Sequence, residues 1–544
     1  MPEKKEYIEK LVTRCQNLED KNATWKSTHQ ELAEWNLPRK SYITREKTKG
    51  QKTDMTNLYD STAVRGLKIM AAGFHSNLTN PASKWFNLRT RNLDIMKDKE
   101  VQLWFKEVED IIFGALASSN FDTTMQEFYL NAGCFGTGVI LTLEDISEKI
   151  RFVEVPIEQI QMEEDAQGRV NRIYRTFPLT AQQAFDLWGK GAGEAVTETV
   201  EKKPNDQLKF LHYVGPRNER DPSKEDSANM PYRSVWIEKS KKHLISEGGF
   251  LSNPYAVGRF YKDTDDVFGY SPAMDVLPDT KLVSAMVKTH LRSTMKQADP
   301  ALIAPRRGFI APLNANPGKI NYRDEKTPND AITAFPTGSN PQQTLEFIQD
   351  TRLNIEKAFF VPLFQAISNI TKQMTIPEVQ RRISENMVLL GPVVGRFTQE
   401  MLDPIVMRVF DILFYAGELP LPPMALAGMD SAKDFDIVYI SPLARVQRES
   451  EIYSLQSFMQ DVGMVATAIP NVLDKLNGDE AVDQIAKIRG ISPEIIKSDG
   501  EVAAIRKQRA EAQAQMMKAE QVKQGAETIK TGSEAAKNMM PENK

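Results

Sequence analysis

Apolar side chains recur at spacings of three and four residues over much of the first 135 residues, and this is the spacing of one face of an α-helix. Leu67, Met70 and Phe74 follow it within the stretch from Tyr59 to Phe74. The stretch 101–116 repeats it with apolar residues at 101, 105, 108, 112 and 116. The pattern predicts two amphipathic helices in a mainly helical N-terminal region.

Between Val139 and Lys262 the apolar pattern shortens to runs rich in β-branched and aromatic residues. The runs are VILTLE, IRFVEV, RIYRTF, SVWIEK, HLISE and AVGRFY, and Gly, Pro, Asn or Asp separates them. Such runs are typical of strands, so we predict a predominantly β insertion over about 139–262. A glycine cluster precedes the first run, and we interpret it as a tight connection from helix to strand. Its members are Gly133, Gly136 and Gly138.

Helical spacing returns at Ser271, and one helix over 281–297 carries an apolar row beside a basic row. The apolar row is Val283, Val287, Leu291 and Met295, and the basic row is Lys288, Arg292 and Lys296. Residues 299–341 contain seven prolines, which predicts a loop-rich projection. A second helix is predicted over 342–360, with Leu345, Ile348, Ile355 and Phe359 on one face.

A third helical pattern begins at Pro377, where Thr375 and Glu378 form a capping box. It runs to about Tyr415, with kinks expected at Gly391-Pro392 and at Pro404. One strand, FDIVYI, follows at 435–440, and the remainder reads as helix, ending in a solvated Ala-, Gln-, Lys- and Glu-rich tail from 501. The predicted fold class is therefore α+β, mainly helical.

Composition places the chain among ordinary globular proteins, with 544 residues, 41% hydrophobic and 26% charged. The net charge of −4 excludes capture of nucleic acid by a global positive field. Two cysteines, Cys15 and Cys134, do not suffice for a disulfide framework or a zinc site. No run of 18 apolar residues occurs, and the start MPEKKEYIEK has no apolar secretory region, so we expect no membrane association.

Patterns that carry catalysis or metal binding are missing from the sequence. The five histidines have no HExxH spacing, and neither a GxxxxGK[ST] phosphate loop nor a GxSxG elbow occurs. The carboxylate pairs Glu163-Glu164 and Asp265-Asp266 lie in polar segments, where we expect a solvated surface. We therefore expect no enzyme activity, no cofactor and no metal. The basic row from Lys288 to Lys296 has two open interpretations, a solvated helix face or a contact with DNA.

Five segments in order resemble the portal, or head-to-tail connector, proteins of short-tailed bacteriophages. They are NLYDSTAVRGLKIMAAGFHSNLTNPASKWFNL (57–88), EFYLNAGCFGTGVI (127–140), FGYSPAMDVLPDTK (268–281), LLGPVVGRFTQEMLDPIVMRVFDIL (389–413) and ISPLARVQR (440–448). Where the family usually has Thr-Ala-Thr-Glu-Val, this chain has MTIPEV at 374–379. The segments span most of residues 20–460, so the resemblance is specific.

The resemblance implies a portal subunit divided along the chain into the parts of that family. These parts are a wing (1–270), a stem helix (271–297), a clip (298–341), a second stem helix (342–360), a tunnel loop (361–375), a long wing helix with a return strand (376–443), and a crown with a C-terminal helical extension (444–544).

It also implies a ring, usually of twelve copies, at one capsid vertex, through which double-stranded DNA enters during packaging and leaves during ejection. The implied partners are terminase, then tail adaptor or nozzle proteins, and capsid and scaffolding proteins; assembly would occur in the host cytoplasm before the ring joins the virion. The channel candidates are Lys372, Asn369, Gln373, Lys288, Arg292 and Lys296. The clip docking candidates are Arg306, Arg307, Lys319 and Arg323.

Two alternatives from other classes remain open at this point. A DNA-processing enzyme with an embedded β domain would need a metal or nucleotide site that the sequence does not display. A non-viral helical scaffold or adaptor would explain the missing catalytic residues without DNA. A closed ring with a central hole distinguishes the portal from both.

Overall fold

A computed structural model of the chain describes residues 2–45, 55, 58–92, 94–145, 148–224, 226–298, 302–303, 333–334, 341–368, 390–426, 435–440, 457–465, 477–489, 497 and 500–518. Helix exceeds strand among these residues, which confirms the α+β, mainly helical fold class. The chain divides into two compact units. One comprises 1–85, 111–419 and 441–447, and the other comprises 86–110, 420–440 and 448–544.

Two of the helices confirm those predicted near the N-terminus, and their observed bounds are 62–78 and 99–118. The helices are α1 (Pro2–Lys21), α2 (Ala23–Asn36), α3 (Thr62–Leu78), α4 (Lys99–Ser118), α5 (Phe121–Phe135), α6 (Ala181–Trp188), α7 (Glu194–Lys202), α8 (Pro272–Asp275), α9 (Leu277–Ala298), α10 (Pro341–Ala358), α11 (Val361–Ser368), α12 (Gly391–Phe397), α13 (Asp403–Tyr415), α14 (457–465), α15 (Gly478–Arg489) and α16 (500–518).

The strands form antiparallel sheets of three and five strands and two further pairs. They are β1 (Phe86–Thr90), β2 (Thr137–Asp145), β3 (Lys149–Glu154), β4 (Ile160–Glu164), β5 (Val170–Thr180), β6 (Gln207–Pro216), β7 (Tyr232–Glu238), β8 (His243–Phe250), β9 (Tyr255–Arg259), β10 (Leu302–Ile303), β11 (Thr333–Ala334) and β12 (Phe435–Tyr439). The sheet orders are β3-β2-β9, β4-β5-β6-β7-β8, β10-β11 and, in the second unit, β1-β12.

Strands β2 to β9 lie over 137–259, where we predicted a β insertion, and the five-stranded sheet among them is covered on both faces. On one face α1 packs Leu11 and Cys15 against Leu211 and Ile237 of the sheet. On the other face α6 and α7 pack against Phe210 and its neighbours. Strand β6, buried from 210 to 215, escaped prediction because a strand covered on both faces need not alternate apolar with polar residues. Strand β4, at the edge of the sheet, was also not predicted. Helices α6 and α7 within the insertion were also not predicted.

The glycine cluster forms the predicted connection from helix α5 to strand β2. Helix α5 ends at Phe135, and Gly136 adopts a φ of 75°, which reverses the chain in a left-handed conformation. A Cβ at this position would overlap the backbone of Gly269, so only glycine fits.

An aromatic cluster forms around Phe74 of α3 in the first unit. The ring centroids of Tyr129, Phe260, Phe364 and Phe397 lie 5.9, 5.8, 5.5 and 5.7 Å from that of Phe74. These rings come from α5, the segment after β9, α11 and α12, so five parts of the chain meet at one point. Aromatic side chains bury large areas and dominate the energetics of such cores.

The predicted tunnel loop at 361–375 differs from the structure over its first eight residues, which form helix α11. Val361, Leu363 and Phe364 are buried, because α11 lies against α3 and places its apolar side chains in the subunit core. A left-handed turn at Phe360, with a φ of 55°, separates α11 from α10. Residues 369–375 lie outside the described residues.

The predicted kinks in the long helix correspond to a break in its hydrogen-bond pattern. Residues 376–389 lie outside the described residues; from 391 the chain forms α12, a π-helical turn (Thr398–Leu402) and α13. Pro392 and Pro404 occupy the first turns of α12 and α13, where a missing N–H is tolerated. The π-helical turn lies just before Pro404 and accommodates the interruption of the α-helical hydrogen-bond pattern there.

A substitution at Gly73 of α3 tests the close packing around Phe74. A Cβ at Gly73 would overlap the ring of Phe364. We expect Gly73→Ala to lower the free energy of unfolding by about 1–3 kcal/mol, the usual cost of overpacking. Gly114→Ala in α4 is the matched control, because its Cβ position is open, and it should stabilise the helix by about 0.5–1 kcal/mol. Urea unfolding measures both; equal effects would contradict the packing account.

Candidate functional site

Helices α9 and α10 pack against each other and form a hairpin whose connection contains the antiparallel pair β10-β11. We call these two helices the hairpin. They correspond to the two predicted stem helices, with observed bounds 277–298 and 341–358.

The base of the hairpin is fixed by Tyr59 and Asp60, which lie just before α3. The backbone N–H of Tyr59 donates to Oγ of Ser284 at 3.0 Å, and Nζ of Lys288 lies 4.9 Å from the centroid of the Tyr59 ring. The Asp60 carboxylate accepts hydrogen bonds from Nε and Nη2 of Arg352, at 2.9 and 2.7 Å. One short segment therefore holds α9 and α10 together.

Asp60 is buried and remains an anion because its oxygens are satisfied. Its second oxygen accepts the backbone N–H of Thr62 at 2.9 Å. Burial raises the pKa of Asp60, but the hydrogen bonds from Thr62 and the Arg352 guanidinium together outweigh burial and hold that pKa below its usual value. The carboxylate is therefore ionised at neutral pH and binds Arg352 as an ion pair.

The inner face of α10 packs against α3. Ile348 and Ile355 are buried, and the ring of Phe359, just after the helix, is buried against Gly66. A Cβ at Gly66 would lie 2.9 Å from Cδ2 of Phe359, so the glycine permits close approach.

The rest of the hairpin exposes large apolar side chains. Leu291 and Met295 of α9 are 45% and 67% exposed, and Phe347 and Leu353 of α10 are 58% and 52% exposed. The predicted apolar row of α9 is thus covered only at its start, where Val283 is buried. Phe347 and Leu353 lie about 120° apart around α10, so the apolar surface occupies more than one side of the hairpin.

The basic row on α9 is only partly exposed. Lys288 is half-buried over Tyr59, whereas Arg292 and Lys296 are exposed and form no ion pair with the residues that the structure describes. The other channel candidates, Lys372, Asn369 and Gln373, lie outside the described residues. The same is true of the clip candidates Arg306, Arg307, Lys319 and Arg323.

Sequence reasoning missed a buried ion-pair network that joins β9 to the π-helical turn. The Arg259 side chain is buried; its Nε and Nη2 donate to the Glu400 carboxylate at 3.0 and 2.7 Å, and its Nη1 donates to Glu164. Burial lowers the pKa of Arg259, but Glu400 and then Glu164 outweigh it and raise that pKa. The feature of the sequence that could have indicated this network is the arginine inside the apolar run AVGRFY.

The expectation of a solvated surface was wrong for Glu163-Glu164. Glu163 pairs with Nε of Arg14 at 2.7 Å, and Glu164 also pairs with Nζ of Lys262 at 2.7 Å. Their side chains are mostly buried because both carboxylates bind cations from other elements. The pair at 265–266 lies in a turn, with Asp265 exposed.

The described residues contain no group of three or more His, Cys, Asp or Glu close enough to hold a metal ion. None of the described helices is long and apolar enough to cross a bilayer. The arrangement at the hairpin is suited to protein contacts, because rigidly anchored helices present apolar and cationic side chains outward.

Comparisons with known proteins point to phage proteins along most of the chain. A family model described as bacteriophage head to tail connecting protein matches residues 9–496. A probable portal protein of Bordetella phage BPP-1 is 31% identical over 522 residues, covering 95% of this chain and 93% of its own length. A portal protein of Salmonella phage epsilon15 is 30% identical over 525 residues, with 94% and 92% covered.

Among solved structures, a chain from the virion of a native gene transfer agent particle is similar over 74% of this chain and 88% of its own, at 11% identity and a TM-score of 0.32. A likeness this weak carries no argument.

Asp60→Asn tests the ion pair at the base of the hairpin. The variant keeps an acceptor for Thr62 but removes the charge, and we expect it to lower the free energy of unfolding by about 1–3 kcal/mol at neutral pH. Because the folded pKa of Asp60 is lowered, its contribution is present above the unfolded pKa, about 4. It is lost as the pH falls through the folded value.

The difference in urea midpoint between the two proteins should therefore shrink below about pH 4. Asp265→Asn, at an exposed turn, is the control and should show little difference at any pH. A difference that stays constant down to pH 2.5 would show that the charge of Asp60 does not matter.

Proposed function

This chain belongs to the bacteriophage head to tail connecting protein family and is a phage portal protein, and from that premise we propose that its copies close a ring through the hairpin. The ring would number about twelve subunits, as in the family that the sequence resembles, and would occupy one capsid vertex. Its subunits would assemble in the host cytoplasm with capsid and scaffolding proteins.

The observation that carries this proposal is the exposed apolar surface of the hairpin. Burying a Leu, Met or Phe side chain fully contributes about 1.5–3 kcal/mol, and each subunit exposes Leu291, Met295, Phe347 and Leu353. Anchoring by Asp60 and Tyr59 means that the helices are already held in place before they meet a neighbour. Little ordering entropy then opposes association.

The distribution of the apolar residues favours a ring over a simple dimer. A twofold dimer uses one self-complementary patch, whereas a ring uses two different patches that meet head to tail. The hairpin offers apolar side chains on more than one side, as a head-to-tail contact requires.

We further propose that double-stranded DNA passes through the ring and that terminase, then tail adaptor proteins, dock on the clip. Each stable phosphate contact adds salt-sensitive affinity, so a conduit for sliding DNA needs few exposed cations. A net charge of −4 with only Arg292 and Lys296 exposed on the basic row of α9 suits that requirement. We infer that DNA translocation is driven by terminase rather than by this chain.

Replacing the exposed apolar residues of α10 tests ring closure. We expect Phe347→Ser/Leu353→Ser to convert rings into monomers or small oligomers in native mass spectrometry, with an unchanged circular dichroism spectrum because both side chains are exposed in the subunit. Leu187→Ser is the matched control, since Leu187 is 65% exposed but lies on α6. Rings of normal size from the double variant would refute the assignment of the hairpin as the interface.

Reversing the two exposed cations of α9 tests the DNA contact. We expect Arg292→Glu/Lys296→Glu rings to assemble normally and to yield fewer DNA-filled particles, with the loss depending on salt. Lys190→Glu/Lys202→Glu changes the net charge equally at exposed positions of the β insertion and should leave packaging unchanged. If both double variants package alike, α9 does not contact the DNA.

A further inference from the structure

A proline-rich segment at 419–424, with the sequence LPLPPM, is extended and held in place at two points. Proline fixes its own φ at about −65° and disfavours the α-helical region for the residue before it, so this sequence favours a polyproline II helix. Its first five residues accordingly form neither helix nor strand. Nε1 of Trp104 donates to the Pro420 carbonyl at 3.0 Å, and the backbone N–H of Leu426 donates to the Pro423 carbonyl at 2.8 Å.

The proline-rich segment presents two apolar side chains and two carbonyl groups to solvent. Leu421 and Met424 are 91% and 96% exposed, more than any other large apolar side chain that the structure describes. Since a polyproline II helix has three residues per turn, these two side chains lie along one edge. The carbonyl groups of Leu421 and Pro422 accept no hydrogen bond from the described residues. The segment is therefore a rigid apolar edge with two free acceptors.

Three aromatic residues of the first unit, Trp25 of α2, Tyr261 and Tyr270, form what we call the aromatic patch. Tyr261 and Tyr270 exchange two backbone hydrogen bonds, at 3.0 and 2.8 Å, as an antiparallel bridge. Side chains of directly opposite residues in such a pair lie on the same face. The ring centroid of Trp25 lies 5.2 Å from that of Tyr270. Both tyrosines are exposed and Trp25 is half-buried, so the patch is open to solvent.

Two hydrogen-bond donors of the aromatic patch have no acceptor among the described residues. They are the Nε1–H group of Trp25 and the hydroxyl group of Tyr261. The hydroxyl group of Tyr270, in contrast, donates to the Asp266 carboxylate at 2.6 Å. Tryptophan and tyrosine are enriched at interfaces because each combines a large apolar ring with one polar group that needs a partner. The patch therefore offers apolar rings and two donors.

We propose that the proline-rich segment of one subunit docks on the aromatic patch of the neighbouring subunit, as a second contact of the ring besides the hairpin. Proline-rich segments bind aromatic surfaces in this way because their helix is formed before binding. Leu421 and Met424 cover the rings, and Trp25 and Tyr261 donate to the free carbonyl groups. Both halves lie on this chain, so a second copy supplies the partner. The contact rests on the proposed ring, since joining two different surfaces is a head-to-tail arrangement.

Cross-linking between introduced cysteines tests whether the two surfaces meet. Cys15 and Cys134 are buried, so Met424→Cys/Tyr270→Cys adds two exposed thiols. With a short bismaleimide we expect covalent oligomers beyond the dimer, because each head-to-tail contact joins two different positions. The control Met424→Cys/Leu187→Cys, with Leu187 exposed on α6, should give none. Rings that give no such ladder, or the same ladder from the control, would overturn the docking alone, whereas an absence of rings would overturn the proposed ring as well.

Variants without added cysteines measure the strength of the same contact. Leu421→Ser/Met424→Ser removes the apolar edge, and Trp25→Phe keeps an aromatic ring but removes the donor. We expect each to raise the protein concentration at which rings dissociate in mass photometry, the first by at least about tenfold. Combined in one chain, their effects should be smaller than additive, because both act on one contact. Leu187→Ser should dissociate as the wild type does. Fully additive effects, or wild-type dissociation of both variants, would show that the segment and the patch do not touch.

Discussion

The close packing of aromatic rings around Phe74 is the constraint on which the first unit depends. Helix α3 can pack against these rings only because glycines leave room where the rings approach. Gly66 lies beneath Phe359, and Gly73 lies beneath Phe364. The two glycines are seven residues apart and therefore lie on one face of the helix. The end of α10 and the start of α11 are thereby held along α3, and the Tyr59-Asp60 segment at the start of α3 holds the hairpin base.

The position of the hairpin leaves its outer faces open to contacts between subunits. Its inner face is buried by α3, and its other faces are left to solvent with leucine, methionine and phenylalanine side chains. Large apolar side chains exposed to solvent order water without compensation, and surfaces that carry them commonly mark protein contacts. In the ring that we propose, a neighbouring subunit would supply the missing cover, and the anchoring that fixes the hairpin within one subunit would also prepare the contact between subunits.

Periodicity predicted α3, α4, the six β runs and the connection at Gly136, because each depends on residues close in sequence. It missed β6, the helical start of the predicted tunnel loop and the role of Glu164, because each depends on partners from distant parts of the chain. The Arg259 network shows the reason: Glu164 and Glu400 are 236 residues apart and meet on one guanidinium. The hairpin residues were assigned to the right helices, but which of them stay exposed depends on packing against α3 and was not encoded in the spacing.

Electron microscopy of the purified chain, viewed end-on in negative stain, tests the central claim most directly. If the apolar faces of the hairpin join neighbouring subunits head to tail, the images will show closed rings of about twelve subunits around a central hole. A population of monomers or of twofold dimers at micromolar concentration and moderate salt would contradict the account, because the hairpin would then remain in solvent without a partner.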